Sequence, residues 1–274
     1  MHERPITSML SELCPGCLPE VVAERSDWNA WLMRDEATSI SPLPKEASVT
    51  SQLLEGAVAS LAELQVRTAR SEIRLLQAGA ADHRTCVLRS KAEELFTYID
   101  EAMGFQTSKK VAPVETKRLR EIQKVFEAVC DAIQRLDLPD TVLHGDMSLG
   151  NILFMDGHCV FIDWAETYLG NPLITFEHLL LLNSIDDPSE KTACDRRLRK
   201  TYRSAMSRIC DPRAIDAGFA CIPLIAAVSA IVGRGDWFKT SLRNDPRRQA
   251  YVRAVARYVD RAARELTLLE TLSI

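Results

Sequence analysis

Apolar positions along the chain fall into two rhythms. Leu53, Leu54, Ala57, Val58, Leu61 and Leu64 recur on one helical face, with Glu55 and Glu63 away from it. Leu119, Ile122, Val125, Phe126, Val129, Ile133 and Leu136 form a clearer stripe, which Pro139 stops. Helical patterning returns in Thr175–Leu182, Glu190–Arg208, Ala214–Val232 and Pro246–Leu266, the last opened by Asp245 as cap and Pro246 at the first helical position. Ahead of these the rhythm is shorter. Residues 5–13 read as the last turns of a helix ended by Pro15 and Gly16, and Leu18–Glu24 with Trp31–Met33 read as a β-hairpin around Ser26–Asn29. A Ser/Pro-rich connection, Ser39–Pro44, separates the two regimes, so the expected organisation is a small β-containing part, 1–38, and a helical part, 39–274.

One stretch fits neither rhythm. Thr141–Trp164 reads TVLHGDMSLGNILFMDGHCVFIDW, with apolar segments at Thr141–Leu143 and Val160–Ile162 and a polar run that packing does not explain. His144, Asp146, Asn151 and Asp163 stand in the order H-x-D, then Asn five positions on, then an Asp closing the second apolar segment. That order matches a kinase catalytic loop and its metal-binding Asp. Phosphoryl transfer needs an aligned acceptor hydroxyl and magnesium on the phosphate oxygens. Asp146 can accept or orient the hydroxyl proton, Asn151 and Asp163 supply hard oxygen donors, and His144 holds the loop. A metallophosphoesterase would need several histidines near such carboxylates, and His2, His83, His158 and His178 show no such spacing.

HGDMSLGN followed by FIDW resembles the catalytic signature of the aminoglycoside phosphotransferase family, relatives of choline kinases. Trp31–Glu36 (WLMRDE) resembles the family's hinge, which implies that the backbone of Met33, Arg34 and Asp35 contacts adenine. Leu61–Gln65 with Gly79–Arg84 resembles the next helical segment, and Gly170–Leu180 resembles the segment after the metal Asp, where many relatives carry an Asp near Thr175. The resemblance implies an α+β, protein-kinase-like fold with a mainly helical large lobe and a truncated small β lobe. It also implies ATP and magnesium as cofactors and a small-molecule hydroxyl as acceptor.

Composition narrows the partners. The 274 residues carry 46% hydrophobic and 26% charged residues and a net charge of −4, an ordinary globular balance with no global attraction to nucleic acid. The arginines along Pro246–Leu266 are interrupted by Asp260 and Glu265 and read as a solvated face. Asp186, Asp187 and Glu190 form an acidic cluster that could face a polycationic acceptor, though loop carboxylates are common. The longest uncharged run, Ala217–Gly233, contains Pro223 and reads as a buried helix, with no membrane partner expected. Eight scattered cysteines, with no signal-peptide pattern, point to the reducing cytoplasm. Cys14 and Cys17 read as incidental to a Pro-Gly turn, not as a zinc or redox site.

No glycine precedes Gly16 and no lysine precedes Lys45, so the Gly-rich loop and strand lysine of a kinase small lobe are absent ahead of the hinge. Glu3 is then the candidate partner of such a lysine. Two functions follow as expectations: an ATP-dependent phosphotransferase, or a non-catalytic member that keeps the large lobe as a scaffold.

Overall fold

The computed structural model describes residues 3–28, 30–34, 38–155, 157–235 and 240–268. In chain order the first elements are α1 (Glu3–Leu13), β1 (Val21–Arg25), β2 (Ala30–Met33), β3 (Thr38–Ser39), α2 (Ala47–Thr68), α3 (Glu72–Ala78), β4 (Ala81–His83), α4 (Thr85–Ser90), α5 (Ala92–Gly104) and α6 (Thr116–Arg135). Then follow β5 (Thr141–His144), β6 (Ile152–Met155), β7 (His158–Phe161), β8 (Thr167–Gly170), α7 (Leu173–Leu180), α8 (Pro188–Met206), α9 (Pro212–Val232), α10 (Thr240–Arg243) and α11 (Pro246–Leu268). Contacts divide the chain into two compact units, Met1–Asp82 with Pro139–Ile215, and His83–Leu138 with Asp216–Ile274. Residues 1–38 thus share a unit with α2, β5–β8, α7 and α8.

In the first unit α2 is the central helix. Its stripe of Leu54, Ala57, Val58, Leu61 and Leu64 is fully buried, each leucine contributing about 1.5–3 kcal/mol of transfer free energy. α2 packs on α8 and on strands β5 and β7. Its polar residues are buried where they tie down the loops around the polar run. Gln65 donates to the carbonyl of Pro172 at 2.9 Å and accepts from the Tyr202 hydroxyl at 2.6 Å. Thr68 accepts from the backbone N–H of Val142 at 3.3 Å.

β1 and β2 form the expected antiparallel hairpin, with Val21 opposite Met33 and Arg25 opposite Ala30. The strand begins at Val21 rather than Leu18, since Pro19 has no N–H to give a ladder. The other pairings differ from a simple reading of Thr141–Trp164. β5 pairs with β8, and β6 pairs with β7, so the two apolar segments flanking the polar run lie in separate sheets. β5 and β8 are buried along their whole length. β3 adds to β6 through Thr38 opposite Phe154. Gly79–Arg84, taken from the sequence as helical, is instead a left-handed glycine at Gly79 followed by strand β4 in the sheet β4-β8-β5.

In the second unit, Leu119, Ile122, Phe126, Val129 and Ile133 of α6 are buried, and α6 packs against α4, α5 and α11. α11 starts as expected, with Asp245 accepting from Arg247 N–H at 2.8 Å. Its arginines serve the fold: Arg264 pairs with Asp260, which also holds Arg118 of α6 at 2.7 Å, and Arg253 donates to the Ala102 carbonyl. α9 is long and apolar enough by length and composition to cross a membrane, yet 67% of its most apolar window is buried inside the fold.

The cysteine pair corrects the sequence reading. Cys14 and Cys17 are joined as a disulfide, with Cα atoms 5.5 Å apart, while the other six cysteines are free.

Candidate active site

Every residue of this site belongs to the first unit. β5 ends at His144, which enters the core ring first and is 1% exposed. Its Nε2 donates to the Ile162 carbonyl at 2.9 Å, and its ring meets Trp164 at 4.7 Å between centroids. Since Nε2 faces a carbonyl, it carries the proton, and Nδ1 is buried without a partner. Burial holds the imidazole below its usual pKa, outweighing the carbonyl of Ile162 and the charges of Asp146 and Asp163 that favour protonation. His144 is therefore neutral near pH 7 and acts as a positioning residue that ties the H-x-D turn to the strand preceding Asp163.

Gly145 follows, and its place is set by close approach. A Cβ there would lie 2.2 Å from Tyr168 Cε2 and 2.7 Å from the Glu166 carbonyl. The Gly145 N–H donates to that carbonyl at 2.6 Å, and the Tyr168 hydroxyl donates to the Glu166 carboxylate. The loop is thus pressed onto β8.

Asp146 is exposed and held by Asn151, whose Nδ2 donates to its backbone carbonyl at 2.9 Å and to Oδ2 at 3.2 Å. Asn151 closes the short 3₁₀ turn Leu149–Asn151, and its own carbonyl accepts from Ile162 N–H at 3.1 Å. With Nδ2 committed to Asp146, the amide oxygen is the side-chain atom that can serve a metal as ligand. Asp163 then leaves β7 with φ +61°, in the left-handed region that Asp tolerates better than most residues and that recurs at functional sites. His144 and Asn151 are thus both hydrogen-bonded to Ile162, the residue before Asp163, and Asn151 also holds Asp146.

Three further residues shape it. Thr175, buried in the first turn of α7, accepts from the His144 backbone N–H at 3.0 Å; its hydroxyl stands where the resemblance gives a carboxylate. Tyr168 packs over Gly145. Glu3 lies near Asp163 and the Trp164 backbone, and its carboxyl is raised above the ordinary range by burial first and by the neighbouring charge of Asp163 second. Tyr168 carried no sequence signal, and at Thr175 the sequence showed only the missing carboxylate, because both act through contacts between segments that are distant in sequence.

Met33 and Arg34 lie at the end of β2. The Arg34 N–H is already given to the Glu20 carbonyl at 2.8 Å, and its guanidinium pairs with the Glu20 carboxylate at 2.8 Å. Asp35 lies outside the described residues. Asp187 is a helix cap: its Oδ1 accepts from Ser189 and Glu190 N–H at 2.9 and 2.8 Å, and those bonds lower its pKa. Among the described residues no group of three or more His, Cys, Asp or Glu is arranged to hold a metal ion alone. The Asn151 amide oxygen and the Asp163 carboxylate are nevertheless hard donors, and magnesium commonly takes one or two protein oxygens and completes its shell with phosphate and water.

The sequence profile of the phosphotransferase enzyme family matches residues 19–206. The chain belongs to that family. No curated protein matches the sequence. Among solved structures, the chain is similar to a macrolide 2'-phosphotransferase type I, with a TM-score of 0.54 and 18% identity over 92% of this chain and 77% of that one. It is also similar to an ethanolamine kinase from Plasmodium vivax, with a TM-score of 0.53 and 11% identity over 96% and 73%. A macrolide 2'-phosphotransferase from Brachybacterium faecium gives 0.50 and 13% over 92% and 76%. At these identities the likeness establishes a kinase-like α+β fold for this family member. The family supports a small-molecule phosphotransferase.

Proposed function

We propose that this family member transfers the γ-phosphoryl group of ATP to a hydroxyl of a small molecule, with magnesium, in the cytoplasm. The observation that carries the reading is Asn151, whose amide fixes Asp146 while its backbone holds the strand running into Asp163. Asp146, exposed at the rim, takes the acceptor's hydroxyl proton or orients it as the oxygen bonds to phosphorus and the bond to the leaving ADP oxygen breaks. Such a role contributes about 10²- to 10⁴-fold in rate. When bound, magnesium supplies charge neutralisation on the phosphate oxygens, and Asn151 and Asp163 are the residues that would hold it. Neutral, buried His144 does not transfer protons; it keeps the Asp146 turn and the Asp163 segment in register. Met33, Arg34 and Asp35 remain the proposed adenine contact, although the Arg34 N–H is given to Glu20.

Isothermal titration with magnesium–ADP tests the metal assignment. Asp163→Asn is expected to weaken magnesium–ADP binding at least about tenfold while Asp146→Asn leaves it within about threefold, since only the former loses a ligand charge. Equal affinities for wild type and Asp163→Asn would contradict the reading.

A further inference from the structure

The cysteine pair sits where it can act on the site. Cys14-Pro15-Gly16-Cys17 ends α1, the cysteines are bonded to each other, and the turn is closed by Cys14 N–H to the Leu10 carbonyl at 2.8 Å and Cys17 N–H to the Cys14 carbonyl at 3.0 Å. Two carbonyls of this turn are then given to β7. His158 Nε2 donates to the Gly16 carbonyl at 3.0 Å, and Phe161 N–H donates to the Cys17 carbonyl at 3.4 Å. The turn therefore holds both ends of the strand that delivers Asp163. The turn that ends α1 thus grips β7, and the disulfide fixes the conformation of that grip.

We infer that Cys14 and Cys17 form a redox-sensitive brace, whose reduction loosens β7 and Asp163 and whose oxidation sets them. The exchange is a two-electron step with a dithiol reductant. One reductant thiolate attacks a protein sulfur, the Cys14–Cys17 bond breaks, and a mixed disulfide forms. The second reductant thiolate then displaces the other protein thiol, leaving two protonated cysteines and one oxidised dithiol. Cys14 is 0% exposed and Cys17 8%, flanking the exposed Pro15 and Gly16. Because the bond closes a loop of only two intervening residues, it constrains the unfolded chain little and adds little to global stability. Its effect is local, which separates a brace from a general staple.

The test uses the whole chain, oxidised with glutathione disulfide or reduced with dithiothreitol. After denaturation six thiols should react in the oxidised protein and eight in the reduced one, in line with the six free cysteines and one bonded pair. Hydrogen–deuterium exchange should then speed up at least about fivefold over residues 158–163 on reduction, with the melting midpoint little changed. A Cys14→Ser/Cys17→Ser variant should exchange like the reduced protein in both conditions. Magnesium–ADP affinity, which rests on the proposed function, should fall by a similar factor. Eight reactive thiols without reductant, or identical exchange in both states, would overturn the brace. Faster exchange with no magnesium–ADP binding in either state would support the brace and count against the site assignment instead.

Discussion

Replacing Gly145 by alanine puts the packing of the catalytic turn to a direct test. The added methyl would sit 2.2 Å and 2.6 Å from two Tyr168 ring atoms and 2.7 Å from the Glu166 carbonyl, all inside the distances that carbon contacts tolerate. Relief is not available nearby. Tyr168 is 4% exposed, sits opposite Leu143 in the β5–β8 ladder, and has its hydroxyl bound to Glu166. The Glu166 carbonyl is backbone and is already bonded to Gly145 N–H. Overpacking of this kind costs about 1–3 kcal/mol, and three contacts with two immobile partners place it near the upper end. At roughly 2–4 °C per kcal/mol for a domain of this size, the melting midpoint should fall by about 6–12 °C. Any displacement of the turn carries Asp146 with it, and a shift of about 1 Å costs on the order of 10² in rate. Circular-dichroism melts and initial rates, both below the variant's midpoint, measure the two effects. Gly104→Ala is the control: nothing lies within 4 Å of its new Cβ at the end of α5, so stability should be unchanged or slightly raised. A Gly145→Ala protein that melts like wild type would refute the close-approach argument.

Other outcomes follow from the same contacts. Thr175→Val removes the acceptor for His144 N–H and leaves a buried donor unpaired, costing about 1–3 kcal/mol in a denaturant titration, whereas Thr175→Ser should restore most of it. Gln65→Leu should destabilise by a similar amount, because Tyr202 and Pro172 each lose a buried partner; an unchanged denaturation midpoint would show that the bridge is dispensable. Burial lowers the His144 pKa in the folded protein, so its contribution to stability is fully present above the unfolded value near 6.5 and is lost as pH falls below it. Melting midpoints between pH 7.5 and 5 should therefore drop more steeply for wild type than for His144→Asn, and parallel curves would contradict the neutral assignment.

The helices were legible because their stripes are local: α2, α6, α8, α9 and α11 each carry their own periodicity and stops. The order His144, Asp146, Asn151, Asp163 was legible because phosphoryl transfer asks for those groups in sequence. Pairing was not legible. β5 finds β8 and β6 finds β7 through contacts that four-residue strands do not encode, and a three-residue strand such as β4 has no periodicity to read. At Thr175 the sequence showed a missing carboxylate, but not that its hydroxyl accepts from the His144 N–H, a bond between residues 31 apart. The cysteine pair was read as a turn because composition alone says nothing of what the turn holds.

The most direct test of the account is the initial rate of phosphoryl transfer from magnesium–ATP across a panel of hydroxyl-bearing small molecules, for wild type and Asp146→Asn. The account predicts acceptor-dependent turnover in wild type that is lost when magnesium is chelated and falls about 10²- to 10⁴-fold in Asp146→Asn. Turnover by Asp146→Asn equal to wild type with the same acceptor, or no transfer by wild type to any acceptor, would contradict it.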